Sequence, residues 1–320
     1  MSSAAPTRLV IELRWSLAAA AVVAVLPLGV SNEYWLGVLV VTMYFAMLAA
    51  AWNLLAGYTG QFSLAPSAFA MIGAYTTGLL AYHWNVPPLL GIAAAVAVAG
   101  GIGLALGRIV LRLKGPYLAL TTLSFAEIMR LVVSNSIDFT RGDLGLNVPA
   151  LLDQRLAYYH LFLGALIAVQ LALFLMLRAR AGLYLQAIRD DETAAASRGV
   201  RVVLWKTLAF GVSAAISGLA GALYAHFALL ISPELGLIAQ TGLIISMVVI
   251  GGMGTLIGPL LGAFLVYIAS EMLRGVGGYQ LVVFALLVIL FARFFREGLW
   301  GLLRRAFRPP PVRARAAGGD

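Results

Sequence analysis

The chain has 320 residues, of which 62% are hydrophobic and 11% charged, with a net charge of +9 and no cysteine. That leaves too little polar surface to cover soluble domains, and it excludes disulfides and thiolate metal sites. The basic excess does not point to nucleic acid, because there is no soluble basic domain to hold a duplex.

Apolar runs of about twenty residues recur, each long enough to cross a bilayer as a helix. A backbone in hydrocarbon must satisfy its own hydrogen bonds, which makes these runs helical. The reading is an all-α polytopic integral membrane protein with 8–10 transmembrane helices and a possible internal repeat. In chain order the spans fall near 15–30, 35–55, 62–82, 88–110, 117–136, 158–177, 206–230, 239–252, 256–273 and 279–297. Glycine and proline interrupt 35–82 and 239–273, where short or re-entrant segments are expected. Residues 1–14 form an N-terminal arm, 15–300 the membrane domain and 301–320 a basic, proline-rich tail expected to be disordered near the membrane surface. The first run ends in LPLGVSNEY without an A-x-A-like cleavage site, so it reads as a retained helix rather than a signal peptide.

Trp15, Trp35, Trp84, Tyr117, Tyr158, Tyr159, Trp205, Tyr279 and Trp300 fall near span ends, where amphipathic rings suit the headgroup layer. His83, His160 and His226 are read as interfacial too. With ten spans and a cytoplasmic N-terminus, the arm, 108–114, 178–206 and the end from Arg293 all face inward and carry 18 of the 22 Lys and Arg. This obeys the positive-inside rule, puts both termini in the cytoplasm, and makes membrane lipid the partner of the arginines.

Three polar features lie within the apolar runs. In GYTGQFSLAPSAFAMIGAY (57–75), glycines and Pro66 break the run while Gln61, Ser63 and Ser67 add uncharged hydrogen-bonding groups. Backbone that leaves the helix at membrane depth must be buried in protein or line a wet cavity, so this stretch is either tight packing or part of a pathway. GGMGTLIGPLLGAF (251–264) echoes it: Gly60 to Pro66 and Gly254 to Pro259 are similar spacings, each followed by Ala-Phe, and Gly251 and Gly254 join the pathway candidates. Glu127 and Arg130, three apart on one helix face, form either a helix-locking ion pair or part of the path, since a lone charge in the core costs about 3 kcal/mol. The outer loop 137–157 is either a solvated connection or a docking surface for an external partner.

The charge is densest in RDDETAAASRGVR (189–201). Asp190 or Asp191 can cap a helix, Glu192 suits its first turn, Ala194 and Ala195 favour it, and Gly199 can end it. The expected product is a helix of about two turns with a small smooth face and no apolar stripe toward its own protein, suited to a groove on another protein. No G-x-x-x-x-G-K-[ST] loop exists, so an ATP-driven cycle needs a separate ATPase.

NLLAGYTGQFSLAPSAFAMIGAY (53–75), GPYLALTTLSFAEIMRLV (115–132), RAGLYLQAIRDDETAAASRGV (180–200) with KTLAFGVSAAISGLAGALYA (206–225), and GGMGTLIGPLLGAF (251–264) together resemble the permease subunits of ABC importers for branched-chain amino acids, of the LivM type. The resemblance implies a bacterial inner-membrane permease paired with a second homologous permease. It also implies two cytoplasmic ATPase subunits and a periplasmic or lipid-anchored substrate-binding protein. No cofactor is expected on this chain, ATP being held by the partners, and no enzymatic reaction. Residues 189–199 become the coupling helix, with Arg189, Asp190, Asp191, Glu192, Ala194, Ala195 and Gly199 facing the ATPase. The chain departs from the E-A-A-x-x-x-G pattern common in such helices: Thr193 follows Glu192, and Gly199 lies seven residues on, one too many. The alternative is a self-contained secondary carrier or channel for a small polar solute, which needs a relay of intramembrane acids. Only Glu127 and Glu271 offer themselves for it.

Overall fold

The structure is a computed structural model, and it describes residues 4–28, 32–110, 115–273, 289 and 298–306. The span expected at 279–297, Tyr279, and the tail beyond 306 lie outside these residues. In chain order the helices are α1 (Ala4–Val25), α2 (Glu33–Thr59), α3 (Pro66–Trp84), α4 (Pro88–Val110), α5 (Pro116–Asn135), α6 (Ile137–Thr140), α7 (Arg155–Arg178), α8 (Arg180–Asp190), α9 (Glu192–Ser197), α10 (Val202–Ala228), α11 (Ile238–Gly251) and α12 (Gly258–Met272), with a last helix at Gly298–Ala306. Helices α2, α4, α5, α7 and α10 are each long and apolar enough to cross a bilayer. The first helix begins at Ala4 rather than 15, so most of the expected arm is helical and continuous with it, and Glu12 within it is buried.

α2 is apolar all round and buried along almost its whole length, as a helix at the centre of a bundle must be. Around it pack α7, α10, α11 and α12, while α3 and α4 gather on α10. Small residues set these distances. The buried positions of α4 are Gly91, Ala95, Ala99, Gly103, Gly107 and Val110, a stripe one turn apart, and its large residues Leu89, Leu104 and Ile109 point outward. Such outward apolar bulk is a liability in water and the normal covering in lipid. On α10 a β-carbon added to Gly221 would stand 1.9 Å from Ala70 O, so α3 and α10 touch backbone to backbone.

The two interrupted stretches fold alike. α2 ends at Gly60 (φ +70°), six residues run without helix, and Pro66 starts α3. α11 ends at Gly251, Gly254 has φ +74°, and Pro259 sits in the first turn of α12. Both glycines adopt the left-handed conformation that a side chain disfavours. The two breaks abut: a β-carbon on Gly57 would lie 2.6 Å from Gly254 N. At 14 and 15 residues, α11 and α12 each extend about 21–23 Å, short of a full crossing.

The outer loop is a folded cap rather than a loose connection. Its strand β1 (Leu146–Asn147) pairs antiparallel with β2 (Leu230–Ile231) just after α10. Tyr158 donates to His226 O at 2.7 Å and accepts from Leu151 N and Leu152 N. His226 is fully buried, with its ring bonded to Thr77 Oγ1 and Pro149 O at 2.8 Å each. Tyr158, Tyr159 and His226 are buried against their own protein, while His83 and His160 are exposed.

Candidate functional site

Helix α9 is the charged stretch made solid. Asp191 is its N-cap, with Oδ1 accepting from Thr193 N at 2.8 Å and Ala194 N at 3.0 Å. At the other end Gly199 (φ +82°) donates to Ala196 O and Val200 donates to Ala195 O, the paired bonds of a Schellman stop. The helix has six residues, just under two turns as expected, but it is held by its own protein more firmly than its composition suggested. Ala195 is buried with Ile188 and Val202, and Lys206 Nζ donates to Glu192 Oε2 at 2.8 Å. Thr193, Ala194, Ala196 and Ser197 remain outward as a small, smooth face, with Asp190 and Gly199 exposed beside it.

The residue before this unit ties it to both helix breaks. Arg189 Nη1 donates to Gly57 O at 2.6 Å. A β-carbon on Gly60 would stand 3.3 Å from Arg189 Cγ, and one on Gly254 would stand 3.1 Å from Arg189 Nη1. The breaks are themselves bonded to one another. Asn53 Oδ1 accepts from Gly254 N and its Nδ2 donates to Thr255 O, both at 2.8 Å. Glu12 Oε2 accepts from Leu256 N at 2.8 Å, so α1 also reaches this knot. Asn53 and Glu12 are bonded positions at the breaks that sequence reasoning missed. Asn53 carried a signal, as a lone amide in an apolar run, whereas Glu12 resembled any charge on a soluble arm.

The pathway candidates divide. Residues 60–65 alternate between interior and surface: Gln61, Ser63 and Ala65 are buried while Gly60 and Phe62 are exposed, and Trp52 Nε1 donates to Ser63 O at 2.7 Å. Thr122 Oγ1 of α5 accepts from Leu64 N at 2.9 Å, and Ser67 Oγ lies 2.6 Å from Thr241 Oγ1 of α11. Both polar atoms of the Gln61 side chain lack a hydrogen-bond partner, an uncommon state for a buried amide. Gly251 instead packs α11 on α12, since a β-carbon there would meet Gly258 O at 1.9 Å.

Glu127 and Arg130 pair with each other, Nε to Oε2 at 3.0 Å. They do not face the interior of this chain: Glu127 is about half exposed (48%), on an outer stripe of α5 with Tyr117, Leu120, Ser124 and Ile128. Arg130 lies against buried Gly236, in the turn Pro233–Gly236 that leads into α11. Glu271 accepts from the Tyr34 hydroxyl near the ends of α12 and α2. Among the described residues no three His, Cys, Asp or Glu side chains come together as a metal site.

Residues 34–293 match the family described as branched-chain amino acid transport system / permease component. The high-affinity branched-chain amino acid transport permease LivM of Salmonella typhimurium is 32% identical over 298 residues, covering 82% of this chain and 69% of that protein. LivM of Escherichia coli matches to the same extent. The Escherichia coli permease LivH is 24% identical over 250 residues, covering 71% of this chain and 81% of that protein. No solved structure matches the chain.

Proposed function

The chain belongs to the branched-chain amino acid transport permease family, and from that premise we propose that it is the translocating subunit of an ATP-driven importer for branched-chain or closely related amino acids. Two cytoplasmic ATPase subunits supply the work, a second homologous permease completes the pathway, and an external binding protein delivers the cargo. Both termini and α9 face the cytoplasm.

The observation that carries this reading is the Arg189 connection. An exposed helix with a smooth face, capped at both ends, follows directly on Arg189, whose guanidinium is bonded to Gly57 O at the first break and packs closely on Gly254 of the second. An ATPase dimer that closes on α9 therefore moves the ends of α2 and α11 together. Because α3 and α12 start directly after those breaks, the motion tilts the helices that follow. The exposed stripe of α5 carries Ser124 and the Glu127–Arg130 pair, polar groups a span does not leave facing lipid. We place the second permease across that stripe, with the amino acid passing between the two subunits near Gln61. Cargo affinity must differ between the inward and outward states for the cycle to run, so this site binds weakly and the binding protein supplies specificity.

The test is reconstitution. The four-part complex in vesicles accumulates labelled leucine when ATP is present on the ATPase side and loaded binding protein on the other. The lone chain in vesicles accumulates nothing. Concentrative uptake by the lone chain, driven by a proton or sodium gradient, overturns the proposal in favour of a self-contained carrier.

A further inference from the structure

The two breaks are alike in shape and unlike in how they are held. Residues 60–65 are bonded by neutral groups of neighbouring spans, Trp52 Nε1 to Ser63 O and Leu64 N to Thr122 Oγ1. Residues 252–257 are held by the terminal helices as well as by α2. The last helix lies on this second break backbone to backbone, since a β-carbon on Gly298 would stand 2.5 Å from Gly252 Cα. Glu12 of α1 accepts from Leu256 N at 2.8 Å. Trp15 and Trp300 meet edge to face at 6.3 Å and join the two terminal helices to each other.

Glu12 stands out among these contacts. α1 turns Leu9, Glu12, Ser16 and Ala20 inward, one residue every three or four, so the carboxylate occupies a packing position and is only 2% exposed. Burial of a carboxylate is costly, and it is offset only where strong, charge-assisted hydrogen bonds replace its water. The break offers such donors, because backbone outside a helix leaves N–H groups that an apolar bundle must satisfy. Three of them are met by side chains: Gly254 N by Asn53 Oδ1, Leu256 N by Glu12 Oε2 and Gly258 N by Thr255 Oγ1. Of these three acceptors only Glu12 is a carboxylate, and only Glu12 comes from α1. Opposite charges therefore reach one short segment. The Arg189 guanidinium lies at Gly254, 3.1 Å from where a β-carbon would stand, and the Glu12 carboxylate is bonded two residues on.

We infer that Glu12 is a positioning residue for the passage of movement from α9 to α12. Irregular backbone between two helices absorbs a push by changing its dihedral angles, as hinges do. Residues 252–257 are denied that freedom. Leu256 is pinned to α1, and Gly254 and Thr255 are pinned to Asn53 of α2. The segment then moves as a block with Arg189, and α12, which starts directly after it, turns with the block. This inference rests on the coupling role proposed above for α9, and it adds α1 to the parts that transmit the motion.

The assembled complex, with its ATPase subunits and binding protein, is compared as wild type, Glu12→Leu, Glu12→Asp and Glu12→Gln. Amide hydrogen exchange is followed by mass spectrometry on peptides covering 252–258 and 60–65. Glu12→Leu is expected to exchange about 10-fold faster over 252–258 and at the wild-type rate over 60–65. Glu12→Asp, whose carboxylate stops one methylene short of Leu256 N, behaves like Glu12→Leu and decides the matter where that variant does not assemble. Glu12→Gln keeps the reach and an acceptor oxygen, and it restores most of the protection. In vesicles, leucine taken up per ATP hydrolysed falls about 5-fold in Glu12→Leu and Glu12→Asp and recovers in Glu12→Gln. A purely structural role instead lowers uptake and hydrolysis in proportion. The importer reading fails on the wild type alone, if that complex accumulates no leucine with ATP, and the exchange comparison does not depend on that result. Wild-type exchange over 252–258 in Glu12→Leu and Glu12→Asp overturns the inference. So does faster exchange with uptake per ATP at the wild-type value.

Discussion

Arg189 directs a full charge at a backbone carbonyl, Gly57 O, at 2.6 Å, while its stem lies on Gly60. A guanidinium is planar and multiply donating, and an ammonium on a shorter reach cannot hold the same geometry. Arg189→Ala is therefore expected to lower ATP-driven leucine uptake at least 10-fold in an assembled complex. ATP hydrolysis continues but loses its stimulation by loaded binding protein, and Arg189→Lys falls between the two. Uptake and stimulation at wild-type levels in Arg189→Ala would show that the connection transmits nothing. Gln61 poses the opposite case, a buried amide with no partner at all. Removing an unsatisfied group is neutral or stabilising, so Gln61→Leu is expected to keep or raise the melting temperature. If Gln61 touches the passing amino acid, the same variant loses most of its uptake. Normal uptake with raised stability would assign Gln61 to packing instead.

Helix α9 holds together by local bonds, and in the proposed cycle its outer face is the part that docks on the ATPase. Replacing Asp191 and Glu192 with lysine removes the cap, worth about 1 kcal/mol, and sets a charge against Lys206. The variant is expected to insert and assemble but to hydrolyse ATP without transport, measured as ATPase activity against uptake in the same vesicles. Tight coupling in that variant would remove α9 from the mechanism. This element was largely legible beforehand, because capping, helix propensity and a stop glycine are local properties written in adjacent residues. So were the long spans, since hydropathy over twenty residues is local too. The long-range bonds were not. Nothing in a one-dimensional reading brings Asn53 to Gly254 or Glu12 to Leu256, and Ala195 gave no sign of its contact with Ile188 and Val202. The Glu127–Arg130 pair was legible as a pair but not in its direction. Which face of α5 stays uncovered depends on how α3, α4, α11 and the turn Pro233–Gly236 pack, and most of that is decided far away in sequence.

At the scale of the whole molecule, the two ends of the bundle differ in kind. One end carries the outer cap, where β1, Tyr158 and His226 fasten the loop after α5 to the end of α10. The other carries α9, Arg189 and the paired breaks. α7 runs from the first to the second and α10 returns, each long enough to cross, so the cap and α9 lie on opposite sides of the membrane. The orientation proposed above, from the positive-inside rule and the basic residues around α8 and α9, assigns that end to the cytoplasm. The absence of cysteine makes the arrangement directly measurable, since a single introduced thiol has no background. Leu144 is strongly exposed on the cap, and Ala196 is exposed on α9. In intact cells freed of outer barriers, Leu144→Cys is expected to react with a membrane-impermeant maleimide, while Ala196→Cys reacts only after the inner membrane is opened. Co-assembly with the ATPase subunits then protects Ala196→Cys and leaves Leu144→Cys unchanged, because only one of the two ends meets the motor. Labelling of both from the same side would break the crossing of α7 and α10. Reversed labelling would place α9 outside, where no ATPase can reach it.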